Sequence, residues 1–393
     1  MKLAAAAFAI TLSTGSLAAQ EAPCGGNYEA WVGGLVEEAV EMGFNRGAAS
    51  RFFGSAALDP DVIRRDRAQG IFKSTFVDFS KKVIQQYRIN YGAKFYKEHR
   101  RKFDRVQERF GVHPGVLLSF LALETDFGQV QGDFNTLNSL MTLAYDCRRP
   151  DLFRPHLFAA LQLYLNGDFD PATTTGAWAG EIGMIQMLPS DLLQYGTDGD
   201  GDGRVSLTDS VSDALMTGAK VLIELGWAGG EPWLVEVEIP RHMDWSLSGL
   251  DTELSAANWH SLGVRARNRS PIDRNLKASL LLPQGRFGPA FLAFPNYRIY
   301  FEWNRSFVYA TTSAFFATMF AGEPMYNQNN PEPGLDNQQM EELQRRLLAR
   351  GHDIGPVDGI LGSLTRGAVQ KEQFRLGLPA DSWPTPKLLN LLR

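Results

Sequence analysis

The stretch "GVLLSFLALETDFG", residues 115–128, decides how this chain is interpreted. Eight uncharged residues precede Glu124, which shares a helical face with Leu117, Phe120 and Leu121. A carboxylate on an apolar face is desolvated, and desolvation raises its pKa. Such a group is still protonated near neutral pH and can act as a general acid. The alternative is that Glu124 faces solvent at the end of its helix.

The overall composition is that of a globular protein with more than one domain. The chain has 393 residues, which favours two or three domains, and its formal net charge is −5. The acidic balance, with a pI near 5.8, gives no electrostatic reason to expect nucleic acid or an anionic membrane as a partner.

The first nineteen residues have the pattern of a secretory signal peptide. One lysine precedes an apolar run, and small residues end it at 18–19, before Gln20. The residues before Cys24 read "EAPC", which is not a lipobox, so we expect no lipid anchor. No other apolar stretch approaches the ~20 residues that span a bilayer. The sequence therefore predicts a soluble, exported protein; the alternative for residues 1–19 is an ordinary N-terminal helix.

Two cysteines, Cys24 and Cys147, make up the whole thiol content of the chain. An even number of cysteines in an oxidising compartment predicts a disulfide. Two free buried thiols are the alternative.

The pattern of apolar residues predicts a mainly α protein with a small β subdomain. Residues 28–230 have mostly helical periodicity, whereas 233–302 contain short aromatic or β-branched runs typical of strands, namely "WLVEVEI", "KASLLLP", "GPAFLAFP" and "YRIYFEW". A further helix precedes 323–335, which are rich in Pro and Asn and predict a linker. Residues 336–393 are long enough for a small helical domain.

Residues 198–209 have the spacing of an EF-hand calcium loop. Positions 1, 3, 5 and 12 of that loop are occupied by Asp198, Asp200, Asp202 and Asp209, and the carbonyl of Arg204 stands at position 7. Helical segments flank the loop on both sides, and Ser210 and Asp213 stand at capping-box spacing. We expect a structural Ca²⁺ ion, with magnesium or sodium as weaker occupants. The alternative is a flexible acidic linker.

Several long motifs occur in one order along residues 28–320. They are "LETDFG", "GDFNTLNSLMTLAYDCRRP" and "GAWAGEIGMIQMLPSDLLQYGTDGDGDG". Together they resemble the lytic murein transglycosylases of the B type. The resemblance implies a lysozyme-like α+β catalytic domain over residues 20–322, in the periplasm, with peptidoglycan glycan strands as its substrate.

The same resemblance implies roles for individual residues. Glu124 matches the catalytic acid and base of the family, and Ala177 departs from a family serine that helps to hold this glutamate. The residues implied to bind substrate are Phe127, Arg148, Arg149, Gln186, Trp303, Asn304 and Tyr309.

In this family a single glutamate suffices, because the C6 hydroxyl of the substrate replaces water and closes a 1,6-anhydro ring. Asp126 points off the helix face of Glu124, and Glu181 occupies a position where related sequences often carry a small residue. The alternatives are a hydrolytic muramidase, which needs a second carboxylate, and a non-catalytic wall-binding scaffold. We expect a monomer without an organic cofactor.

The C-terminal residues 336–393 resemble the small three-helix peptidoglycan-binding domain of many wall hydrolases. The matching features include Leu343-Gln344, Asp358-Gly359 and Gln373. Ser382 replaces the usual late glycine, so the last turn is expected to differ.

Overall fold

The computed structural model of this chain describes residues 23–68, 74–269 and 271–392. The predicted signal peptide, residues 1–19, lies outside the described residues. Within the described ranges, every helix is too short or too polar to cross a lipid bilayer.

The described residues fold mainly into helices. The helices α1–α9 comprise Tyr28–Glu41, Arg46–Gly54, Pro60–Arg67, Phe76–Val83, Gln86–Glu98, Arg100–Phe110, Pro114–Thr125, Thr136–Tyr145 and Pro150–Asn166. The helices α10–α14 comprise Pro189–Tyr195, Val211–Glu224, Ala256–Ser261, Pro295–Trp303 and Phe307–Phe320. The last three, α15–α17, comprise Asn337–Ala349, Ser363–Arg375 and Pro386–Leu391. The predicted mainly α fold with a small β subdomain and a three-helix C-terminal module is confirmed.

The strands form two sheets. The strands β1–β7 comprise Phe134–Asn135, Thr175–Gly176, Leu234–Glu238, Leu254–Ser255, Arg265–Ala266, Lys277–Leu281 and Phe291–Ala293. β1 pairs antiparallel with β2, and the larger sheet has the order β4-β6-β7-β3-β5 with antiparallel neighbours. The larger sheet packs on a separate apolar cluster around Trp259 and Phe294.

One part of the predicted β region is helical. The run "YRIYFEW" lies in α13, which begins at Pro295 because proline is well suited to the first turn of a helix. Its buried residues Tyr297 and Tyr300 are three apart, which is helical rather than alternating spacing. The prediction of strand for this run was wrong. The helix matters for the candidate site, because its last residue is Trp303.

The main core is formed where α7 and α14 pack together. α7 is buried on nearly all sides, and the close approach of α14 requires Gly115: a Cβ atom there would lie 2.6 Å from the carbonyl oxygen of Ala317. The segment before α1 is joined to the turn between α8 and α9 by a disulfide between Cys24 and Cys147, whose Cα atoms are 5.3 Å apart.

The predicted linker, residues 323–335, contains no helix or strand but packs against the main domain. Tyr326 is only 3% exposed, and its ring lies against Phe76 and Phe315. Its hydroxyl is 2.6 Å from the hydroxyl of Ser80. The segment is therefore held in place rather than a free tether.

The C-terminal module docks on the β subdomain. Buried Arg366 on α16 donates to the carbonyl of Pro283 at 2.7 Å and stacks over the ring of Phe307. Asp381 pairs with Arg286 at 3.0 Å. Ser382 has a φ of 63°, the conformation that a glycine would favour, and Gln373 accepts its N–H. The turn expected to differ thus adopts a glycine-like backbone conformation.

Candidate active site

The Glu124 carboxyl lies at the C-terminal end of α7, enclosed by two other helices. The indole Nε1 of Trp303, the last residue of α13, donates to Glu124 Oε1 at 3.1 Å. The hydroxyl of Tyr309 on α14 donates to the same oxygen in a short hydrogen bond. Glu124 is therefore half-buried, and its Oε1 is enclosed by these two donors.

Ring stacking fixes one donor, and burial fixes the other. Trp303 stacks on Phe120 of α7 with ring centroids 4.2 Å apart, and Tyr300 also stacks on Phe120, at 5.0 Å. Tyr309 is buried on α14. Trp303 and Tyr309 thus hold the Glu124 carboxyl from two different helices.

The electrostatics of the site favour a protonated Glu124. Burial raises its pKa, which is the largest effect. The hydrogen bonds from Tyr309 and Trp303 act against this and lower the pKa, while the nearby charge of Glu181 raises it. A carboxyl in such surroundings can give up a proton and then take one back.

The segment 176–187 forms a wall beside Glu124. The hydroxyl of Thr125, the next residue after Glu124, donates to the carbonyl of Met184 at 2.6 Å. Gln186 has a φ of 53°, a strained conformation for a non-glycine residue, and its Nε2 donates to Gly183 at 2.8 Å. The strain orients Gln186 within the wall and leaves its side-chain oxygen as an acceptor.

Asn304 lies between α13 and α14, next to the pocket. Its Oδ1 accepts the N–H of Ser306 at 3.0 Å, which shapes the turn that separates Trp303 from Tyr309. Asn304 thus lies directly after Trp303 and helps to build the turn that leads to Tyr309, while its role in binding substrate stays a prediction.

Phe127 is not a cleft residue. It is only 3% exposed and packs against Tyr91 and Phe95, with ring centroids 5.3 and 5.7 Å apart. The chain turns sharply after α7, with a φ of 62° at Phe127, and the ring enters the core. The prediction that Phe127 contacts substrate is corrected for this reason.

Arg148 and Arg149 are held by a buried carboxylate. Asp66, 1% exposed, accepts Arg148 Nη1 at 2.7 Å and also pairs with Arg149 and Arg67. The two arginines predicted to bind substrate carboxylates are therefore partly neutralised by Asp66, and about a third of each side chain is exposed.

The loop 198–209 has its three leading aspartates together. One carboxylate oxygen of each of Asp198, Asp200 and Asp202 lies within 4.8 Å of the others. Asp198 accepts the N–H groups of Gly201, Asp202 and Gly203, and these hydrogen bonds lower its pKa. Asp209 accepts instead from the hydroxyl of Ser206. Hard oxygen ligands in this arrangement fit a calcium ion.

Asp213 fastens this loop to the protein. It is 1% exposed, and its carboxylate accepts the N–H groups of Gly199 and Ser206, both at 2.8 Å. Its side chain therefore does not close the capping box with Ser210 that the spacing predicts; only the Ser210 half of that box is present.

The loop is also attached to the wall beside Glu124. The carbonyl of Leu207 accepts the N–H of Met184 at 2.9 Å, and the carbonyl of Thr208 accepts from Gln131 at 3.1 Å. The wall and the loop therefore form one connected structure.

Sequence reasoning missed the roles of three residues. Asp66 gave no signal, since isolated aspartates in helical segments are common. The spacing of Asp213 predicted a helix cap and not its hydrogen bonds to the loop, and Glu181 was noticed but given no role.

Comparisons with known proteins agree with this geometry. Residues 27–318 match the family described as transglycosylase SLT domain, and residues 336–392 match the family described as putative peptidoglycan binding domain. The Escherichia coli protein named membrane-bound lytic murein transglycosylase B is 28% identical over 59% of this chain. The alignment spans 63% of the length of that protein.

Solved structures extend the likeness to the whole fold. SltB3 from Pseudomonas aeruginosa, solved in complex with NAG-anhNAM-pentapeptide, is 35% identical with a TM-score of 0.86, covering 94% of this chain and 100% of its own. Escherichia coli Slt35, solved in complex with calcium, is 25% identical with a TM-score of 0.64, covering 76% of this chain and 96% of its own. The predicted lysozyme-like catalytic domain is confirmed, and the chain belongs to the transglycosylase SLT domain family, with a peptidoglycan-binding domain at its C-terminal end.

Proposed function

We propose that this protein is an exported lytic murein transglycosylase that cleaves the β-1,4 bond between N-acetylmuramic acid and N-acetylglucosamine without water. The observation that carries the proposal is the buried Glu124 carboxyl, whose Oε1 is held by Trp303 and Tyr309. The relative solved with a NAG-anhNAM-pentapeptide supports the choice of substrate and product.

The reaction needs one group that first gives and then takes a proton. Protonated Glu124 donates its proton to the bridging oxygen, and the bond from that oxygen to C1 of the muramic acid breaks. The ionised carboxylate then accepts the proton of the C6 hydroxyl, and O6 bonds to C1 to close the 1,6-anhydro ring. Glu124 ends the cycle protonated, and no water is consumed.

The surroundings of Glu124 suit both halves of this cycle. Burial raises its pKa, which favours the protonated carboxyl that the first step needs. The hydrogen bonds from Trp303 and Tyr309 stabilise the carboxylate that forms after the first proton transfer. Gln186 and Asn304 are proposed to bind the sugars.

We further propose that residues 198–209 bind Ca²⁺ as a structural ion. The three leading aspartates converge, and their charges would repel each other without a cation. A calcium complex of Slt35, a structural relative, supports the assignment. Because Leu207 binds Met184 of the wall beside Glu124, and Thr208 binds Gln131, the ion would stabilise the cleft and take no part in the chemistry.

The C-terminal module, residues 336–393, is proposed to bind the murein, and residues 1–19 are proposed to direct export to the periplasm. We propose that the protein has no lipid anchor, which the Cys24–Cys147 disulfide supports because it uses the Cys24 thiol. Deletion of residues 336–393 is expected to weaken binding to sacculi more than cleavage of small muropeptides.

A hydrolytic muramidase is the second candidate, because Glu181 places another carboxylate close enough for its charge to raise the pKa of Glu124. Such a pair could activate water. Mass spectrometry of products from purified sacculi separates the two reactions. Anhydro ends on the muramic acid are expected, and products with reducing ends alone would establish hydrolysis instead.

A further inference from the structure

One arginine of the C-terminal module reaches the helix that carries Tyr309. Arg366 lies on α16 and is only 8% exposed, and its Cζ lies 4.3 Å from the centroid of the Phe307 ring. Its Nη2 donates to the carbonyl of Pro283 at 2.7 Å, which holds the guanidinium in this place. Phe307 is the first residue of α14. The module therefore contacts the end of α14 that lies nearest to the candidate active site.

A continuous series of contacts leads from Phe307 to Glu124. Ser306, the N-cap of α14, accepts the N–H of Tyr309 at 3.3 Å, and its own N–H donates to Asn304 Oδ1 at 3.0 Å. The hydroxyl of Tyr309 donates in turn to Glu124 Oε1. Phe307 and Tyr309 lie in the same helical turn, so a displacement of that turn moves the Tyr309 hydroxyl relative to Glu124.

The chemistry of Arg366 is unusual for a residue that only fills an interface. Burial lowers its pKa to about 10, so the guanidinium stays charged at neutral pH. Its Nε is buried and donates to no residue in the described part of the chain. An apolar side chain of similar length would fill the same space without a buried charge. The cation therefore contributes something that packing alone does not, and the Phe307 ring is a group that a cation attracts.

We propose that Arg366 is a positioning residue for the reaction, whose cation–π contact with Phe307 holds the first turn of α14 so that the Tyr309 hydroxyl meets Glu124. The inference rests on the proposed function. It gives the C-terminal module a second task, which is to support the catalytic acid in addition to binding murein.

Gln370 offers a matched control on the same helix. It lies four residues after Arg366, and its Nε2 donates to the carbonyls of Ser248 and Ala380 at 2.7 and 3.1 Å. Neither of these acceptors belongs to α14. Replacing Gln370 therefore weakens the docking of the module without removing the contact with Phe307.

The test compares Arg366→Met, which keeps the length of the side chain but removes its charge, with Gln370→Met on a small soluble muropeptide. We expect Arg366→Met to lower kcat by about 2- to 5-fold, the usual range of a cation–π contact, with little change in KM. Gln370→Met should leave kcat unchanged, and Arg366→Lys, which retains a cation, should recover part of the loss. An equal loss of kcat in both methionine variants, or none in Arg366→Met, would overturn the inference.

Coupling to Tyr309 gives a readout that a merely structural role would not change. In the Tyr309→Phe background, Arg366→Met should lower kcat little further, because both changes act on the same hydrogen bond. The alkaline limb of the kcat/KM profile should move to higher pH in Arg366→Met, since the Tyr309 hydrogen bond lowers the pKa of Glu124. Losses that multiply in the double variant would contradict a route through Tyr309.

Two further measurements keep this result separate from folding and from the proposed function. If Arg366→Met does not fold, Phe307→Leu removes the same contact from the other side and takes its place in the comparison. Wild type that forms reducing ends alone would refute the proposed function instead. The comparison between variants depends only on the rate of cleavage, whichever ends are formed.

Discussion

Two groups of carboxylates in the main domain have opposite surroundings. Glu124 lies inside the protein, where burial raises its pKa. Asp198 is exposed at the surface, where backbone N–H groups lower its pKa. The first environment favours a neutral acid that can donate a proton, and the second favours an ionised group that can bind a cation. The same chemical group thus takes either role according to its access to water and to N–H donors.

The contrast is sharper because the two groups are connected. The carbonyl of Leu207 in the loop binds the N–H of Met184 in the wall, and Thr125 next to Glu124 binds the carbonyl of Met184. A change at either site can therefore be tested for its effect on the other.

Replacing Glu124 by glutamine should have the largest effect, because the amide has no proton to donate. We expect cell-wall cleavage to fall by about 10²- to 10⁴-fold, the usual contribution of a general acid, as measured by clearing of sacculi. Undiminished cleavage would refute the role of Glu124.

The stability of this variant is its control. The folded protein holds the Glu124 proton at a pH at which the unfolded chain has lost it, so the carboxyl lowers stability progressively as pH rises from the unfolded pKa towards the folded one. Glu124→Gln should therefore melt no lower than wild type at neutral pH, and a lower Tm would mean that lost activity reflects lost structure.

Removal of calcium should have the next largest effect, on stability instead of on chemistry. An ion held at a hundred times its Kd stabilises the fold by about 2.7 kcal/mol, and chelation should lower the Tm accordingly. The double variant Asp198→Asn, Asp202→Asn is the matched control, since its melting should no longer respond to the chelator. A wild-type Tm that is unchanged by chelation would count against a bound ion.

Asp213→Asn should destabilise the loop even without calcium. Asparagine offers one acceptor oxygen where the N–H groups of Gly199 and Ser206 now meet two. We expect the free energy of unfolding, measured in urea with chelator present, to fall by about 1–3 kcal/mol. The matched control is Asp209→Asn, which changes an exposed aspartate of the same loop. A similar loss of unfolding free energy in both variants would contradict the bracing role of Asp213.

Tyr309→Phe should have the smallest effect of these changes, a shift in the pH profile of kcat/KM. The Tyr309 hydrogen bond lowers the pKa of Glu124, so its removal raises that pKa. Activity requires protonated Glu124 and falls as pH rises through this pKa. The alkaline limb of the kcat/KM profile should therefore move to higher pH; a move to lower pH would contradict the assigned hydrogen bond.

Features set by local sequence were predicted well. The apolar residues around Glu124 do place it on a buried helix, and the aspartate spacing at 198–202 does bring three carboxylates together. Both depend on residues close in sequence, whose geometry follows from the helix and the loop themselves.

Features set by distant contacts do not follow from local sequence, although the family resemblance did name Trp303 and Tyr309 as site residues. Trp303 and Tyr309 meet Glu124 across 179 and 185 residues, and no local pattern shows that α13 ends beside α7. Phe127 occupies a family motif, yet its backbone turns the ring into the core.

The most direct test of the account is the titration of the Glu124 side chain itself. Carbon NMR of the protein with labelled glutamate carboxyls, with the Glu124→Gln variant to assign the signal, would give its pKa. We predict a value well above the ~4.3 of an unperturbed glutamate. A Glu124 carboxyl that titrates at or below that value would be ionised at neutral pH, and it could not be the proton donor proposed here.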